Sequence, residues 1–411
     1  MNKPTPPMAL DGLKVLDLSR ILAGPYAAQT FADLGADVVK VEAPDGGDDT
    51  RKWGPPFTLN ADGSRDDAAY FSACNRNKRS VTIDFSTDDG RALVCKLAAE
   101  ADILVENFRP GNLAKYGLDY RSVAAFNPGI IYCSITGFGQ DGPYAHRSGY
   151  DFLIQGMGGL MSITGAPDGN QGAGPVKVGV AVCDLFTGMF AANSALAALA
   201  YRTRTGKGQH IDCALLDSQI SMLANQSANW LNAGVCPERM GNSHPSVVPY
   251  TVYQAEDGFV IIACGNDRQF GRLAGALTMP QLAEDPDFAT NEARIKNRDR
   301  LDGLLGEVIA KMDRATVIDT LEAAAVSCGP INNIDEVFAD PHVQVRGAQI
   351  DQFREDGSRI SSTAYAAKLS ETPAQYRKAP PRLGADNDQV LREWAGLSGD
   401  EIAVLRSKKV I

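Results

Sequence analysis

The chain has little of what would tie it to a metal, a redox cofactor or a membrane. Its 8 cysteines and 4 histidines are scattered singly over 411 residues, without the C-x-x-C spacing of zinc, cluster or redox sites. It lacks both a hydrophobic stretch of signal-peptide type near Met1 and the ~18 consecutive apolar residues of a membrane span. We therefore expect a cytoplasmic protein with no metal site and no membrane partner.

The local motifs of several common enzyme classes are also missing. The sequence has no G-x-G-x-x-G after its first expected strand, no G-x-x-x-x-G-K-S/T, no H-E-x-x-H and no G-x-S-x-G. A net charge of −10 disfavours nucleic acid as a partner, so an anionic ligand would need a local basic site. Taken alone, these residues indicate an α/β ligand-binding enzyme and leave its reaction open.

Apolar runs alternate with helical patterns through the first 200 residues. Residues 14–18 suit a buried strand, Gly24 and Pro25 open a helix that ends near residue 34, and residues 37–41 suit a second strand. Strand-helix-strand units of this kind form parallel sheets covered by helices. The same pattern continues with strands expected at 80–84, 103–106 and 129–135, and with helices at 88–101, 184–201 and 214–232.

The character of the chain changes after about residue 240. Residues 250–254 and 259–264 alternate like an antiparallel pair, and charged helical patterns fill about 267–325. The sequence therefore predicts a fold of class α/β, with a Rossmann-like parallel-sheet large domain and a smaller α+β domain. The expected parts are a large domain at 1–200 completed by 345–411, linkers at 201–240 and 331–344, and a small domain at 241–330.

Six short blocks follow one another in a distinctive order. They are LDLSR at 16–20, LGADVVKVE at 34–42, NRNKRS at 75–80, ENFRPG at 106–111, SITGFG at 134–139 and TGKGQ at 205–209. In this order they resemble the family III CoA-transferases, which include formyl-CoA:oxalate, carnitine and succinyl-CoA:dicarboxylate enzymes and the related α-methylacyl-CoA racemases. The resemblance covers nearly the whole chain and implies a large CoA-binding domain and an interlocked homodimer.

The resemblance implies that Asp184, in the segment VCDLFTG, is the catalytic nucleophile. A carboxylate beside the free N–H groups of a helix start is favoured as the anion, and an anion must attack the thioester carbonyl. The expected intermediates are an acyl-aspartyl anhydride and then an aspartyl-CoA thioester, with CoA thioesters as substrates and no permanently bound cofactor. The alternative reading is an ordinary helix N-cap.

The family's CoA-binding positions are matched by several residues of the first domain. Arg20 and Lys115 offer charged hydrogen bonds to phosphate, and Phe108 offers a flat apolar contact for the base. We interpret Lys40 and Lys78 instead as solvated surface charges. The full expected CoA-binding set is Arg20, Leu22, Ala23, Arg79, Asn107, Phe108, Arg109 and Lys115.

Tyr150 and Asp151 separate two candidate reactions. The racemases carry a histidine at the place of Tyr150, where it is one of two acid/base groups, so its replacement favours a transferase over a racemase. Asp151 is expected to support catalysis, with a helix cap as the alternative. A non-catalytic CoA-binding protein is the third function considered.

Segments at 48–56, 246–250 and 329–333 resemble the succinyl-CoA:glutarate type of transferase. Leu22 and the segment 263–267 depart from the oxalate enzymes, so we expect succinyl-CoA as donor and a C4–C6 dicarboxylate such as glutarate as acceptor. The distal carboxylate needs a polar partner, and Ser243, His244 and Ser246, together with Tyr150, are the expected substrate-binding residues. The alternative for this cluster is an ordinary polar loop.

Overall fold

The computed structural model describes residues 8–411, which form two compact units. The first unit contains residues 8–160, 177–234 and 342–411, and the second contains residues 161–176 and 235–341. Residues 161–176, expected in the large domain, thus lie in the second unit, whereas most of the expected linker at 201–240 lies in the first.

Thirteen strands are present in the described residues. They are β1 (Lys14–Asp17), β2 (Asp37–Glu42), β3 (Phe57–Leu59), β4 (Arg65–Ala68), β5 (Lys78–Thr82), β6 (Ile103–Glu106), β7 (Ile131–Thr136), β8 (Gln209–Ala214), β9 (Tyr250–Ala255), β10 (Gly258–Ala263), β11 (Ser327–Pro330), β12 (Gln349–Phe353) and β13 (Arg359–Thr363).

Sixteen α-helices are present in the same residues. They are α1 (Ala23–Asp33), α2 (Ala69–Ser72), α3 (Asp88–Glu100), α4 (Tyr120–Phe126), α5 (Asp151–Met157), α6 (Val182–Thr205), α7 (Leu215–Met222), α8 (Ala224–Ala233), α9 (Asp267–Ala276), α10 (Asn291–Lys296), α11 (Arg298–Ile309), α12 (Arg314–Ala323), α13 (Ile334–Ala339), α14 (Pro341–Val345), α15 (Asn387–Glu393) and α16 (Gly399–Ser407).

A six-stranded parallel sheet in the order β5-β2-β1-β6-β7-β8 forms the centre of the first unit. The central strands β1, β6 and β7 are almost wholly buried because helices cover both faces of the sheet. One core packs α1 and α6 against one face, and another packs α3, α4, α15 and α16 against the other. The Rossmann-like parallel sheet expected from the sequence is confirmed.

The edge strand β8 was missed in the sequence, where its residues fell in an expected linker. Its sequence QHIDCA mixes polar and apolar residues and lacks the apolar run that marks the other strands. Its pairing with β7 supplies the missing pattern. The helix expected at 214–232 is likewise two helices, α7 and α8, which are separated at Leu223. The first residue of α8, Ala224, has a φ of 45°.

The longest helix, α6, has 24 residues and is apolar enough, by length and composition alone, to cross a membrane. Its small buried residues, Ala191, Ala192 and Ala195, belong to the core that α1 also lines. A core helix of this kind passes the same length and composition test as a membrane span.

The second unit has its own sheet and its own core. Strands β11, β10 and β9 form an antiparallel sheet in that order, and helices α9, α11 and α12 pack on it around Phe270, Leu301 and Val317. The antiparallel pair expected from the sequence corresponds to β9 and β10. Strand β11, for which no strand was expected from the sequence, joins them.

Candidate active site

Asp184 is the third residue of α6 and is not its N-cap, which is Ala181. Its carboxylate instead accepts a hydrogen bond from the backbone N–H of Ala23, the first residue of α1. The two helices approach closely at Gly188, where an added Cβ would lie 2.6 Å from the Ala23 carbonyl oxygen. Gly188 therefore permits the contact that brings the start of α1 to Asp184.

The surroundings of Asp184 disfavour its ionised form. Burial raises the pKa of its carboxyl most, the negative charge of Asp151 raises it further, and the Ala23 N–H opposes both. The resulting pKa is about 7. Asp184 is therefore only partly ionised near neutral pH, contrary to the expectation that the helix start favours its anion. Once ionised, it is more basic than an ordinary aspartate and so a stronger nucleophile.

Asp151, the first residue of α5, is joined to the start of α6. Its Oδ1 accepts from the Cys183 N–H at 2.8 Å, and its Oδ2 accepts from Gln155 Nε2 at 2.7 Å. Asp151 therefore caps the neighbouring helix rather than its own. The fully buried Gln155 also accepts from the Val178 N–H at 2.8 Å, which ties this acid to the segment that precedes α6.

A cavity of about 290 Å³ opens beside Asp184 within the first unit. It lies where the turn after β1 and the loops after β6 and β7 meet, at the carboxyl ends of parallel strands, the usual ligand site of such sheets. The expected site residues that line it are Arg20, Ala23, Asn107, Phe108, Arg109, Tyr150 and Asp184.

The side chain of Asn107 forms two hydrogen bonds with the backbone of Arg20. The Arg20 N–H donates to Asn107 Oδ1 at 2.9 Å, and Asn107 Nδ2 donates to the Arg20 carbonyl at 2.7 Å. The Arg20 guanidinium carbon lies 5.8 Å from the Phe108 ring centroid, and its Nη1 lies 3.1 Å from Asp49 Oδ2. The side chain of Asn107 is thus used to join two loops.

A second and larger cavity, of about 880 Å³, lies in the same unit. Phe108 and Lys115 line it, and Phe85 meets the rings of Phe108 and Tyr116 edge to face at 5.8 and 5.4 Å. Sequence reasoning missed the other cations of this cavity, Arg406 and Lys409, because they lie in the C-terminal segment. An aromatic wall beside several cations suits a base with phosphates.

Leu22 and Arg79 line neither of these two cavities in the part of the chain described. Leu22 is buried as the N-cap of α1. The Arg79 guanidinium forms ion pairs with Asp37 and Glu393, so it ties β5 to β2 and α15. Its position is that of a structural cation.

The interpretation of Lys40 and Lys78 as surface charges is wrong. Both lysine side chains are fully buried, with Lys40 Nζ 2.9 Å from Asp48 Oδ2 and Lys78 Nζ 2.9 Å from Asp17 Oδ2. Burial acts to lower the pKa of Lys40, but the carboxylates of Asp48, Asp17 and Glu42 outweigh it and raise that pKa. For Lys78, burial outweighs the attraction of Asp17 and lowers its pKa. Both lysines are therefore ion-paired groups of the interior.

These buried pairs hold the turn between β1 and α1. Lys40 Nζ donates to the Ser19 carbonyl at 2.7 Å, Lys78 Nζ donates to the Pro25 carbonyl at 2.9 Å, and Asp48 accepts from the Ile21 N–H at 3.2 Å. Ile21 has a φ of 73°, an uncommon value for a β-branched residue, so the network stabilises a strained turn. That turn ends at Ala23, the donor to Asp184.

Tyr70 is a further neighbour of Asp184 that sequence reasoning missed. Burial raises the pKa of the Tyr70 hydroxyl most, and the charges of Asp184, Cys74 and Asp151 contribute, to give a value of about 12. Its ring also meets Trp53 edge to face at 5.4 Å. A neutral phenol thus stands near the carboxylate pair.

The expected polar cluster, Ser243, His244 and Ser246, lies in the second unit. His244 Nδ1 accepts from the Ser246 N–H at 3.0 Å, so a neutral ring carries its proton on Nε2. Arg298 Nη2 donates to the His244 carbonyl at 2.8 Å, and Asn291 Nδ2 donates to the Ser246 carbonyl at 2.9 Å. The loop is therefore held from two helices, with a defined donor on His244.

In residues 8–411, no group of three or more His, Cys, Asp or Glu side chains could hold a metal ion.

A family model described as CoA-transferase family III matches residues 10–387. The chain belongs to CoA-transferase family III. The resemblance read from the six blocks is confirmed, and the chain is a CoA-transferase.

Two curated members and one solved structure show how near other members are. The chain is 50% identical to a succinate–glutarate CoA-transferase of Agrobacterium fabrum over 93% of this chain and 95% of that protein. It is 41% identical to the succinyl-CoA:glutarate CoA-transferase of Mus musculus, over 93% and 86%. A CAIB/BAIF family protein from Brucella suis matches with a TM-score of 0.84 and 50% identity, over 94% and 100%.

Proposed function

We propose that this CoA-transferase moves CoA from succinyl-CoA to glutarate or a closely similar C4–C6 dicarboxylate. The observation that carries the reaction type is the Asp184 carboxylate, whose pKa of about 7 suits a nucleophile and which opens onto a cavity. The names of the Agrobacterium and mouse relatives support this donor and acceptor. CoA thioesters are the substrates, and no resident cofactor is proposed.

CoA is proposed to occupy both cavities of the first unit. Phe108 and Asn112 line both, so these residues form a shared wall. The adenine and its phosphates suit the larger cavity, with the Phe85–Phe108–Tyr116 aromatics and with Lys115 and Lys409. The thioester end then reaches Asp184 through the smaller cavity, beside Arg20, Asn107 and Arg109.

The transfer balances with Asp184 as its only covalent carrier. An Asp184 oxygen attacks the acyl-CoA carbonyl and the C–S bond breaks. CoA leaves as the thiolate, and an acyl-aspartyl anhydride remains on the enzyme. The thiolate attacks the aspartyl carbonyl, and the donor acid departs with one oxygen that began on Asp184. The acceptor carboxylate then attacks the aspartyl-CoA thioester, and the same two steps run in reverse.

Asp151 is proposed to support this carrier without bonding to the substrate. Its negative charge raises the pKa of Asp184, and its hydrogen bond from Cys183 holds the start of α6. A more basic carboxylate is a stronger nucleophile once ionised. The Ala23 N–H is released when the Asp184 oxygen is acylated, and it is then free to donate to the developing oxyanion.

Ser243, His244 and Ser246 are proposed to bind a carboxylate of the acceptor acid, and Tyr150 is proposed as a substrate-binding residue of the first unit. The Nε2–H of His244 is a hydrogen-bond donor, and Arg298 and Asn291 hold the loop that presents it. We expect His244→Ala to reduce the preference for glutarate over a monocarboxylate of equal length by about tenfold. His342→Ala, the same change on an exposed side chain, is the matched control. An unchanged preference in His244→Ala would remove the loop from the site.

A homodimer in the cytoplasm is the proposed form of the enzyme. Large apolar side chains on α5, α6 and α8 are exposed in the single chain, including Phe152 at 59%, Trp230 at 59% and Leu231 at 77%. Exposed apolar side chains of this kind favour a protein partner, and a second copy offers the same side chains. Light scattering should give twice the chain mass, and Leu231→Glu should shift the equilibrium toward the monomer.

The activity is tested by incubating the protein with succinyl-CoA and a panel of mono- and dicarboxylic acids, followed by mass analysis of the thioesters. The proposal predicts glutaryl-CoA and free succinate in equal amounts without added metal or nucleotide. A racemase would instead exchange an α-proton of a 2-methylacyl-CoA with solvent deuterium. Proton exchange without thioester exchange would contradict the proposal.

A further inference from the structure

A second buried acid stands next to the loop that carries Asn107 and Phe108. Glu106 ends β6 and is only 5% exposed. Its Oε2 accepts from the Phe108 N–H at 2.8 Å, and the Ser134 hydroxyl is hydrogen-bonded to the same carboxyl group. Because the Glu106 side chain bonds the N–H two residues ahead, it fixes the direction in which the chain leaves the strand.

The bond continues from Ser134 to His210. Ser134 Oγ lies 2.9 Å from His210 Nε2, and the His210 ring stacks on Tyr120 with centroids 5.0 Å apart. Burial lowers the pKa of His210, so its ring is neutral at pH 7, although Asp212 opposes the shift. When Glu106 is ionised, every partner is satisfied if His210 Nε2–H donates to Ser134, Ser134 donates to Glu106, and Glu106 accepts from Phe108. Burial raises the pKa of the Glu106 carboxyl to about 7, and its protonated form can instead donate to Ser134 while still accepting from Phe108.

The three side chains do not form a second nucleophilic centre. In a catalytic triad the imidazole stands between the carboxylate and the hydroxyl, so that it can take the hydroxyl proton. Here the hydroxyl of Ser134 stands in the middle, between Glu106 and His210. The chain of bonds ends on the backbone of Phe108, which points to support of that loop.

The supported loop is the one that joins the two cavities. Phe108 lines both, and Asn107 is clasped to the backbone of Arg20 by two hydrogen bonds. Glu106, Ser134 and His210 line neither of these two cavities and share a separate one of about 350 Å³. They act on the site through the loop.

We propose that Glu106, held by Ser134 and His210, is a positioning residue that presets the Asn107–Phe108 loop for the CoA moiety of the substrate. This inference rests on the proposed function, because it assigns CoA to the cavities that Phe108 lines. A loop already fixed in its bound conformation loses less conformational entropy on binding. Loss of the Glu106 carboxyl group should therefore weaken CoA binding more than it slows the chemical steps.

The test is calorimetric titration of the full-length protein with CoA, together with steady-state kinetics. Glu106→Leu should raise both the Kd for CoA and the KM for succinyl-CoA by about tenfold or more. Its kcat should stay within about threefold of the wild-type value. Glu106→Gln keeps an oxygen for the Phe108 N–H and should recover most of the loss. Ser134→Ala should fall between them, and Glu371→Gln, the same change on an exposed side chain, should match the wild type.

An unchanged Kd in both Glu106→Leu and Ser134→Ala would overturn the inference, as would a fall in kcat with Kd unaltered. If the leucine variant fails to fold, the glutamine and alanine variants decide by the same comparison. Failure of the proposed function looks different: the wild-type protein would bind CoA, with the same dependence on Glu106, yet transfer it to no acid.

Discussion

Two aspartates of the first unit, Asp17 and Asp184, meet opposite surroundings. Asp17 is fully buried; burial acts to raise the pKa of its carboxyl, but Lys78, Lys40 and Ser19 outweigh it and lower that pKa. Asp184 is less buried, its charged neighbour is the carboxylate of Asp151, and its pKa rises to about 7. The sign of the nearest charges, more than the depth of burial, separates the two.

The comparison supports a structural role for Asp17 and the proposed reactive role for Asp184. A carboxylate that is paired with ammonium groups is stable as an anion and is a poor nucleophile. A carboxylate held beside another acid has only one N–H donor, from Ala23, to stabilise its charge. It loses that charge, and the repulsion from the other acid, when it forms an anhydride or a thioester. The same turn serves both, because Lys40 and Lys78 fix the residues that lead to Ala23.

The largest expected effect is the loss of turnover on removal of the reactive acid. Asp184→Ala removes the covalent carrier, and we expect kcat for CoA transfer to fall by roughly 10⁴-fold or more. Product thioesters measured by mass spectrometry give the rate. Asp141→Ala, at an exposed position, is the control, and transfer at more than about a hundredth of the wild-type rate would contradict the assignment.

The matching change at the structural acid should act on stability. Lys78→Met leaves Asp17 buried without its partner, and we expect the free energy of unfolding to fall by about 3–5 kcal/mol. Urea unfolding followed by circular dichroism measures it, with the exposed Lys368→Met as control. Adding Asp17→Asn to Lys78→Met should restore part of the loss, and no loss in the single variant would show that the pair is dispensable.

Removing the charge of Asp184 should instead stabilise the protein above neutral pH. The folded pKa of about 7 exceeds the ordinary aspartate pKa of about 4, so the folded state loses stability as pH rises from about 4 to about 7. Asp184→Asn removes this cost, and we expect its free energy of unfolding at pH 8 to exceed that of the wild type by roughly 2–4 kcal/mol. The difference should vanish near pH 4, and a constant difference would contradict the raised pKa.

The smallest expected effect is a shift in the pH dependence of transfer when the charge of Asp151 is removed. Transfer requires ionised Asp184, so kcat/KM for succinyl-CoA should rise with pH and reach half its maximum near pH 7. Asp151→Asn removes the charge that raises the pKa, and we expect this midpoint to move down by roughly half to one pH unit. Asp141→Asn should leave it in place, and an upward or absent shift with Asp151→Asn would refute the coupling.

Features that depend on residues close together in the sequence were predictable, whereas contacts between distant residues were not. The parallel sheet was predictable because each strand from β1 to β7 in that sheet, apart from β5, is a local apolar run. Asp184 was predicted as the nucleophile because its segment resembles the family's, and that role stays a prediction. Lys40 and Lys78 were misread because a lysine shows its pairing only when Asp48 and Asp17 are placed beside it in space.

The missed site residues have the same explanation. Tyr70 comes to Asp184 from more than a hundred residues earlier in the chain, and Lys409 reaches the larger cavity from the C-terminal segment. Neither has a neighbouring residue that signals a role. The hydrogen bond from Ala23 to Asp184 could not be predicted either, because it depends on the close approach of α1 and α6 at Gly188.

The most direct measurement follows oxygen through the carrier. Glutarate labelled with ¹⁸O in its carboxylates is incubated with succinyl-CoA and the enzyme, and the peptide that contains Asp184 is then isolated and weighed. Covalent transfer predicts that Asp184 gains label from the acceptor and that released succinate carries it in later turnovers. Efficient glutaryl-CoA formation with an unlabelled Asp184 would show that the acyl group never rests on this side chain.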